Sequence, residues 1–127
     1  MLLCSTKPID MLILIAGPYR GGTNDDPLLM ERNLRTLESA ALPLFRMGHM
    51  PMIGEWAALP LLKWAGSQKP GDAVWNEIQY PVAHRLLEKC DAVLRLPGAS
   101  AGADNDVRVA LERGLKVYYS IEEVPGG

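Results

Sequence analysis

Residues 11–16 are six apolar side chains in a row (Met, Leu, Ile, Leu, Ile, Ala), with no polar residue between them. A strand with one wet face alternates apolar and polar, so an unbroken run of this length predicts a strand buried on both faces, as in a parallel sheet covered by helices. The next residues, Gly17-Pro18-Tyr19-Arg20-Gly21-Gly22-Thr23, are turn formers that allow unusual backbone angles and close approach by a ligand. Asp26 and Pro27 then make an N-cap and first-turn pair. Met30, Leu34, Leu37, Ala41 and Leu44 recur at helical spacing behind them, which predicts one long helix, kinked at Pro43 and closed by Gly48. Glu31, Arg32, Arg35 and Glu38 form its solvated side.

The same reading continues to the last residues. A short strand is expected over 49–53, followed by a loop and a short helix over 54–64, with Trp64 in the core. A polar loop spans 66–71, and a helix kinked at Pro81 runs from about 72 to 89 with Val74, Ile78, Val82 or Ala83, Leu86 and Leu87 inward. Residues 91–96 form a further strand, and small residues then lead into a helix marked by Val107, Ala110 and Leu111 and closed by Gly114. Residues 115–119 form the last strand. Strands alternating with helices give a parallel sheet with right-handed crossovers.

The loop after the 91–96 strand is the place to look for chemistry, because a helix start offers free N–H groups and a dipole to an anion. Ser100 or Asp104 can cap that helix. Gly98-Ala99-Ser100-Ala101-Gly102 also matches the G-x-S-x-G elbow of serine hydrolases. That mechanism requires a histidine after the serine, and both histidines, His49 and His84, precede it. A serine in a small-residue ligand loop is the simpler account. His49, beside a helix end, and Asp91, at a strand start, are expected to be structural.

Composition narrows the partners. A net charge of −2 gives no basic field for polymeric nucleic acid, which is therefore not an expected partner. Cys4 and Cys90 make no disulfide framework, and no C-x-x-C or Cys/His cluster suggests a metal, so neither metal nor cofactor is expected. The longest apolar run is far below the ~20 residues that span a bilayer. With too little sequence ahead of Cys4 for a leader, the expectation is one soluble, cytoplasmic domain over residues 1–127 with a poorly ordered stretch at 1–9.

Ile15-Ala16-Gly17-Pro18-Tyr19, Cys90-Asp91-Ala92-Val93-Leu94, Pro97-Gly98, Ser100-Ala101-Gly102, an acid at 106, Ala110 and Gly114 together resemble the nucleoside 2-deoxyribosyltransferase-like superfamily. The likeness spans nearly the whole chain, including Gly48-His49 and Gly114-Leu115-Lys116-Val117. It implies an α/β, flavodoxin-like three-layer sandwich with a four-stranded parallel sheet in the order 2-1-3-4. It also implies a nucleoside or nucleotide ligand and an N-glycosidase or deoxyribosyltransferase activity. In active members a glutamate four residues before the matched alanine attacks the sugar; here that position holds Asp106, one methylene shorter. A non-catalytic nucleotide-binding module of the same fold is the alternative that this departure raises.

The matched positions suggest roles. Asp106 is the candidate nucleophile, expected in the first turn of its helix and kept ionised by the helix N-terminus, and Tyr19 would orient it or line the sugar pocket. Gly17, Pro18 and Gly21 would cradle the sugar or a 5′-phosphate, with Arg20 as a charge-assisted fork to that phosphate. Ser100 and Gly102 would take the second side of the sugar, and Glu55 and Trp56 would read the base. Trp56, Trp64, Trp75 and Tyr80 are more large aromatics than so small a domain needs, which suggests a homo-oligomer.

Overall fold

The structure is a computed structural model that describes residues 10–126. Cys4 and the stretch 1–9 expected to be poorly ordered lie outside the described residues. Four strands, β1 (Leu12–Ala16), β2 (Met50–Ile53), β3 (Ala92–Arg95) and β4 (Lys116–Tyr118), form one parallel sheet in the order β2-β1-β3-β4. The unbroken apolar run is interior as expected: Ile13, Leu14, Ile15 and Ala16 are all buried. Period-2 alternation sends Ile13 and Ile15 to one face and Leu14 and Ala16 to the other, each into its own core cluster.

Helices α1 (Pro27–Glu38) and α2 (Ala41–Arg46) connect β1 to β2 and cover the Ile13 face through Leu37, Ala40 and Leu44. Helices α3 (Gly54–Ala65) and α4 (Ala73–Leu87) carry the chain back past β1 to β3, and α5 (Ala101–Glu112) leads from β3 to β4. Leu87, Ala103 and Ala110 place α4 and α5 on the Leu14 face, and α3 packs on α4 through Ala58, Leu62 and Trp75. The two helical layers follow from handedness. A right-handed crossover moving one way along the sheet lies on one face, and a crossover moving the other way lies on the opposite face.

Three elements differ from expectation. The first long helix is two helices that separate at Ser39 and Ala40, not at Pro43 itself. Proline lacks an N–H and its ring clashes with the carbonyl four residues earlier, which is that of Ser39, so the break falls a turn upstream. No loop follows β2: α3 begins directly at Gly54 and runs through Pro60, as α4 runs through Pro81. Trp64 is 88% exposed and is not a core residue; the core tryptophan on this side is Trp75. Leu111 is also exposed, and Ala103 joins Ala110 as the buried side of α5. A short 3₁₀ turn, Ile121–Glu123, follows β4 and brings the buried Val124 to the Ile13 face.

Two polar side chains tie β1 at its start. His49 is buried, its Nδ1 accepts from the Met11 N–H at 3.0 Å, and its Nε2 bonds the Pro125 carbonyl at 2.5 Å. Asp91 accepts from the Leu12 N–H at 2.8 Å. Both are structural, as expected. Replacing His49 by Leu keeps the volume but leaves the Met11 N–H and the Pro125 carbonyl unpaired, and should cost about 1–3 kcal/mol in urea denaturation. An unchanged midpoint would show that these bonds contribute nothing net.

Candidate functional site

The carboxyl ends of β1 and β2 open into a cavity of about 350 Å³, within the range of small-molecule sites. Its floor is Leu14, Ile15, Ala16 and Gly17; one wall is Gly54 and Glu55 at the start of α3, and the opposite wall is Ser100–Ala103 and Asp106 from α5. Trp75, Gln79, Tyr80 and Ala83 of α4 close the third side, with Tyr19, Arg20, Gly21 and Asp25 at the loop side. The cavity therefore collects Asp106, Tyr19, Gly17, Arg20, Gly21, Glu55, Ser100 and Gly102 from the residues that the sequence singles out.

Two of those residues stand elsewhere. Trp56 points away from the cavity, with its indole N–H donating to Glu38 at 2.8 Å. Because Glu55 and Trp56 are consecutive helical residues, about 100° apart around the axis, both cannot face one ligand. Pro18 packs on the neighbouring loop: a Cβ at Gly98, which has φ +119, would stand 2.7 Å from the Pro18 ring. A Cβ at Gly21 would likewise stand 2.8 Å from the Ala99 carbonyl oxygen. The two small-residue loops are thus pressed together, which brings Ser100 and Gly102 to the same cavity as Gly21.

Ser100 is the cap of α5, and its hydroxyl accepts from the Ala103 N–H at 3.1 Å. This leaves it a capping residue and not a nucleophile on a strained elbow. Asp106 consequently has no capping work. It lies in the second turn of α5, not the first, and no hydrogen-bond donor among the described residues reaches its carboxyl. Burial, then the negative charge of Glu55, push it up to about 7, against a smaller pull from Arg95. The expected stabilisation of its ionised form by the helix N-terminus is absent, because that field fades beyond the first turn.

Glu55 is treated differently by its surroundings. Burial raises its pKa, but its own backbone N–H and the Gln79 side chain, donating at 3.0 Å, favour the ionised form. The other end of the Gln79 amide, Oε1, is buried and has no partner among the described residues. Tyr19 does not bond Asp106; its ring stacks on Trp75 with centroids 6.4 Å apart and planes 8° apart. Burial, with Glu55 and Glu31 nearby, holds the Tyr19 hydroxyl protonated by raising its pKa. Arg20 lies over the Trp75 ring at 5.9 Å, and Asp25 fills its guanidinium fork through contacts of 2.6 and 3.1 Å.

Trp75, Gln79 and Ala83 escape a sequence reading that looks only at loops. They repeat every four residues, which places them on one stripe of α4, and a glutamine in an otherwise apolar stripe is the signal that marks it. The start of α4 is fixed by Asp72, which accepts from the Trp75, Gln68 and Lys69 N–H groups and from Ser67 and is held down at about 2 by these bonds.

Because the folded protein binds a proton at Asp106 up to about pH 7 while an unfolded aspartate releases it near 4, Asp106 progressively destabilises the fold as pH rises between those values. Asp106→Asn should therefore raise stability by about 1–3 kcal/mol at pH 8 and by almost nothing at pH 4, read from paired thermal melts. An equal effect at both pH values would show that Asp106 carries no charge penalty.

Compared with models of protein families, with curated proteins and with solved structures, the chain matches none.

Proposed function

We propose that the protein cleaves or exchanges the base of a nucleoside or nucleotide through a carboxylate nucleophile, as an N-glycosidase or a 2-deoxyribosyltransferase. Asp106 carries this reading. It is a carboxyl group that faces the cavity, lacks a hydrogen-bond donor among the described residues, caps nothing, and is pushed up to about 7 by burial and by Glu55. A fold gains no stability from such a group, and carboxylates in this condition concentrate where chemistry uses them.

In the proposed reaction an Asp106 oxygen bonds the anomeric carbon as the bond to the base nitrogen breaks, and the base leaves with the electron pair and takes up a proton. Water or a second base then attacks the same carbon and releases Asp106. Glu55 and Gln79 offer acceptors to donor groups of the base, and the stacked Tyr19 and Trp75, with Tyr80, supply the aromatic wall. Gly17, Gly21, Ser100 and Gly102 surround the sugar, where the absence of bulk lets backbone approach it. The missing methylene at Asp106 requires the sugar to sit deeper than a glutamate would need, since about 1 Å of misplacement can cost on the order of 100-fold in rate.

The nucleophile must be ionised, so kcat/KM should rise with pH through about 7 and level off above it. Asp106→Asn should abolish the release of free base from a panel of nucleosides and nucleotides while ligands still bind, and Asp106→Glu should retain activity. A fully active Asp106→Asn protein would remove the residue from the mechanism. Ligand binding by the wild type with no base release would leave a non-catalytic nucleotide-binding module in its place.

We also propose that the chain assembles with copies of itself. Leu61 and Trp64 lie three residues apart on one face of α3, and both are exposed. Trp75, by contrast, is used inside the fold and does not count towards such a surface. Sedimentation velocity should show a dimer or larger assembly that Trp64→Glu shifts to a smaller species. A wild-type monomer at micromolar concentration would sink this proposal.

A further inference from the structure

Three carboxyl groups, Asp25, Glu55 and Asp106, line the cavity against a single guanidinium, that of Arg20. Arg20 is the only basic side chain among the described lining residues, and a 5′-phosphate entering the cavity would need it. Its fork is already filled: Nε donates to one Asp25 oxygen at 2.6 Å and an outer nitrogen to the other at 3.1 Å, with the Pro70 carbonyl at 3.4 Å. Bidentate pairing uses the geometry by which a guanidinium recognises phosphate, so Asp25 and a phosphate compete for one surface.

The pair is built into the loop and is not a chance meeting of two flexible side chains. The buried Thr23 donates its hydroxyl to the Arg20 carbonyl at 2.5 Å and accepts from the Asp25 N–H at 3.1 Å. The Asp26 N–H closes the turn on the Thr23 carbonyl at 2.9 Å. Asn24 and Asp25 both adopt left-handed backbone angles, φ 50 and 61, which asparagine and aspartate tolerate better than other non-glycine residues, and this turn presents the Asp25 carboxylate to Arg20. The guanidinium is held from its other side by the Trp75 ring.

We propose that Asp25 is a specificity-determining residue that occupies Arg20 and so selects uncharged nucleosides over their 5′-monophosphates. This rests on the glycosidase or transferase reading for the identity of the ligand and adds the class that the cavity accepts. With Arg20 neutralised, no basic side chain among the described lining residues is left for a phosphate, and whatever fraction of Glu55 and Asp106 is ionised repels it, whereas a neutral sugar is tolerated. The same pairing holds the Asp25 carboxyl below the usual carboxylate range, so the block persists throughout the neutral range.

Isothermal titration of the full chain with 2′-deoxyadenosine, 2′-deoxyguanosine, 2′-deoxycytidine and thymidine, each beside its 5′-monophosphate, tests this. At least one nucleoside should bind the wild type more tightly than its monophosphate. In Asp25→Asn, which keeps a residue tolerant of the left-handed backbone, the ratio of monophosphate to nucleoside affinity should rise about tenfold, the worth of one charge contact at the protein surface. Asp25→Asn combined with Arg20→Gln should lose that gain. A wild type that prefers monophosphates, or a ratio unmoved in Asp25→Asn, would overturn the inference, and base release by the same protein would leave the proposed function standing. If no nucleoside and no monophosphate bound the wild type, both would fall together.

Discussion

The structure depends on the burial of β1 on both faces and both edges. Its backbone is hydrogen-bonded to β2 on one side and β3 on the other, so no edge is left to water. Its side chains alternate between two apolar layers, which must therefore both be covered. Parallel pairing forbids short hairpins and forces each connection to cross a face of the sheet. Leaving β1 toward β2 and returning toward β3 then assigns α1 and α2 to one face and α4 and α5 to the other. The crevice beyond Ala16 follows, because the chain departs in opposite directions from neighbouring strands at that point.

That crevice receives two carboxyl groups whose surroundings separate them. Glu55 stands at the start of α3, where burial raises its pKa and a backbone N–H and the Gln79 amide partly offset that rise. Asp106 stands a turn too far along α5 to gain from the helix end, and Ser100 has already taken the capping position. Burial disfavours the charge on Asp106 and the negative charge of Glu55 adds to that, so its carboxyl is pushed up to about 7. The cavity thus holds two carboxyl groups whose charged forms are both disfavoured by burial, one of them pushed up to about 7, an arrangement that adds nothing to stability.

The mouth of the cavity is set by contacts between loops that are far apart in sequence. Gly21 against the Ala99 carbonyl and Gly98 against Pro18 admit no side chain between them, and this closeness aligns the loop after β1 with the start of α5. Arg20 is then fixed between the Trp75 ring and the Asp25 carboxylate, which joins α4 to the same loop. Asp72 strengthens that joint by ordering the turn that presents the Pro70 carbonyl to Arg20.

The sequence by itself determined the sheet, since an unbroken apolar run and regular alternation of elements leave few topologies that bury the run and respect handedness. It also determined local ends: Asp26 and Pro27 open α1, Ser100 opens α5, and His49 and Asp91 serve the strand starts, because capping and short-range bonding act within a few residues or at obligatory strand ends. It marked Gly17, Tyr19, Arg20, Gly21, Ser100 and Gly102 of the cavity through the small-residue loops. Only the tertiary structure decided which side of a helix met the cavity. Trp56 and Trp64 turned outward and Trp75 inward, because α3 begins without a loop and packs on α4 along Ala58 and Leu62. Only the tertiary structure, too, decided the charge states, since the pairing of Arg20 with Asp25 and the opposition of Asp106 and Glu55 depend on distances and solvation that arise once the layers have closed.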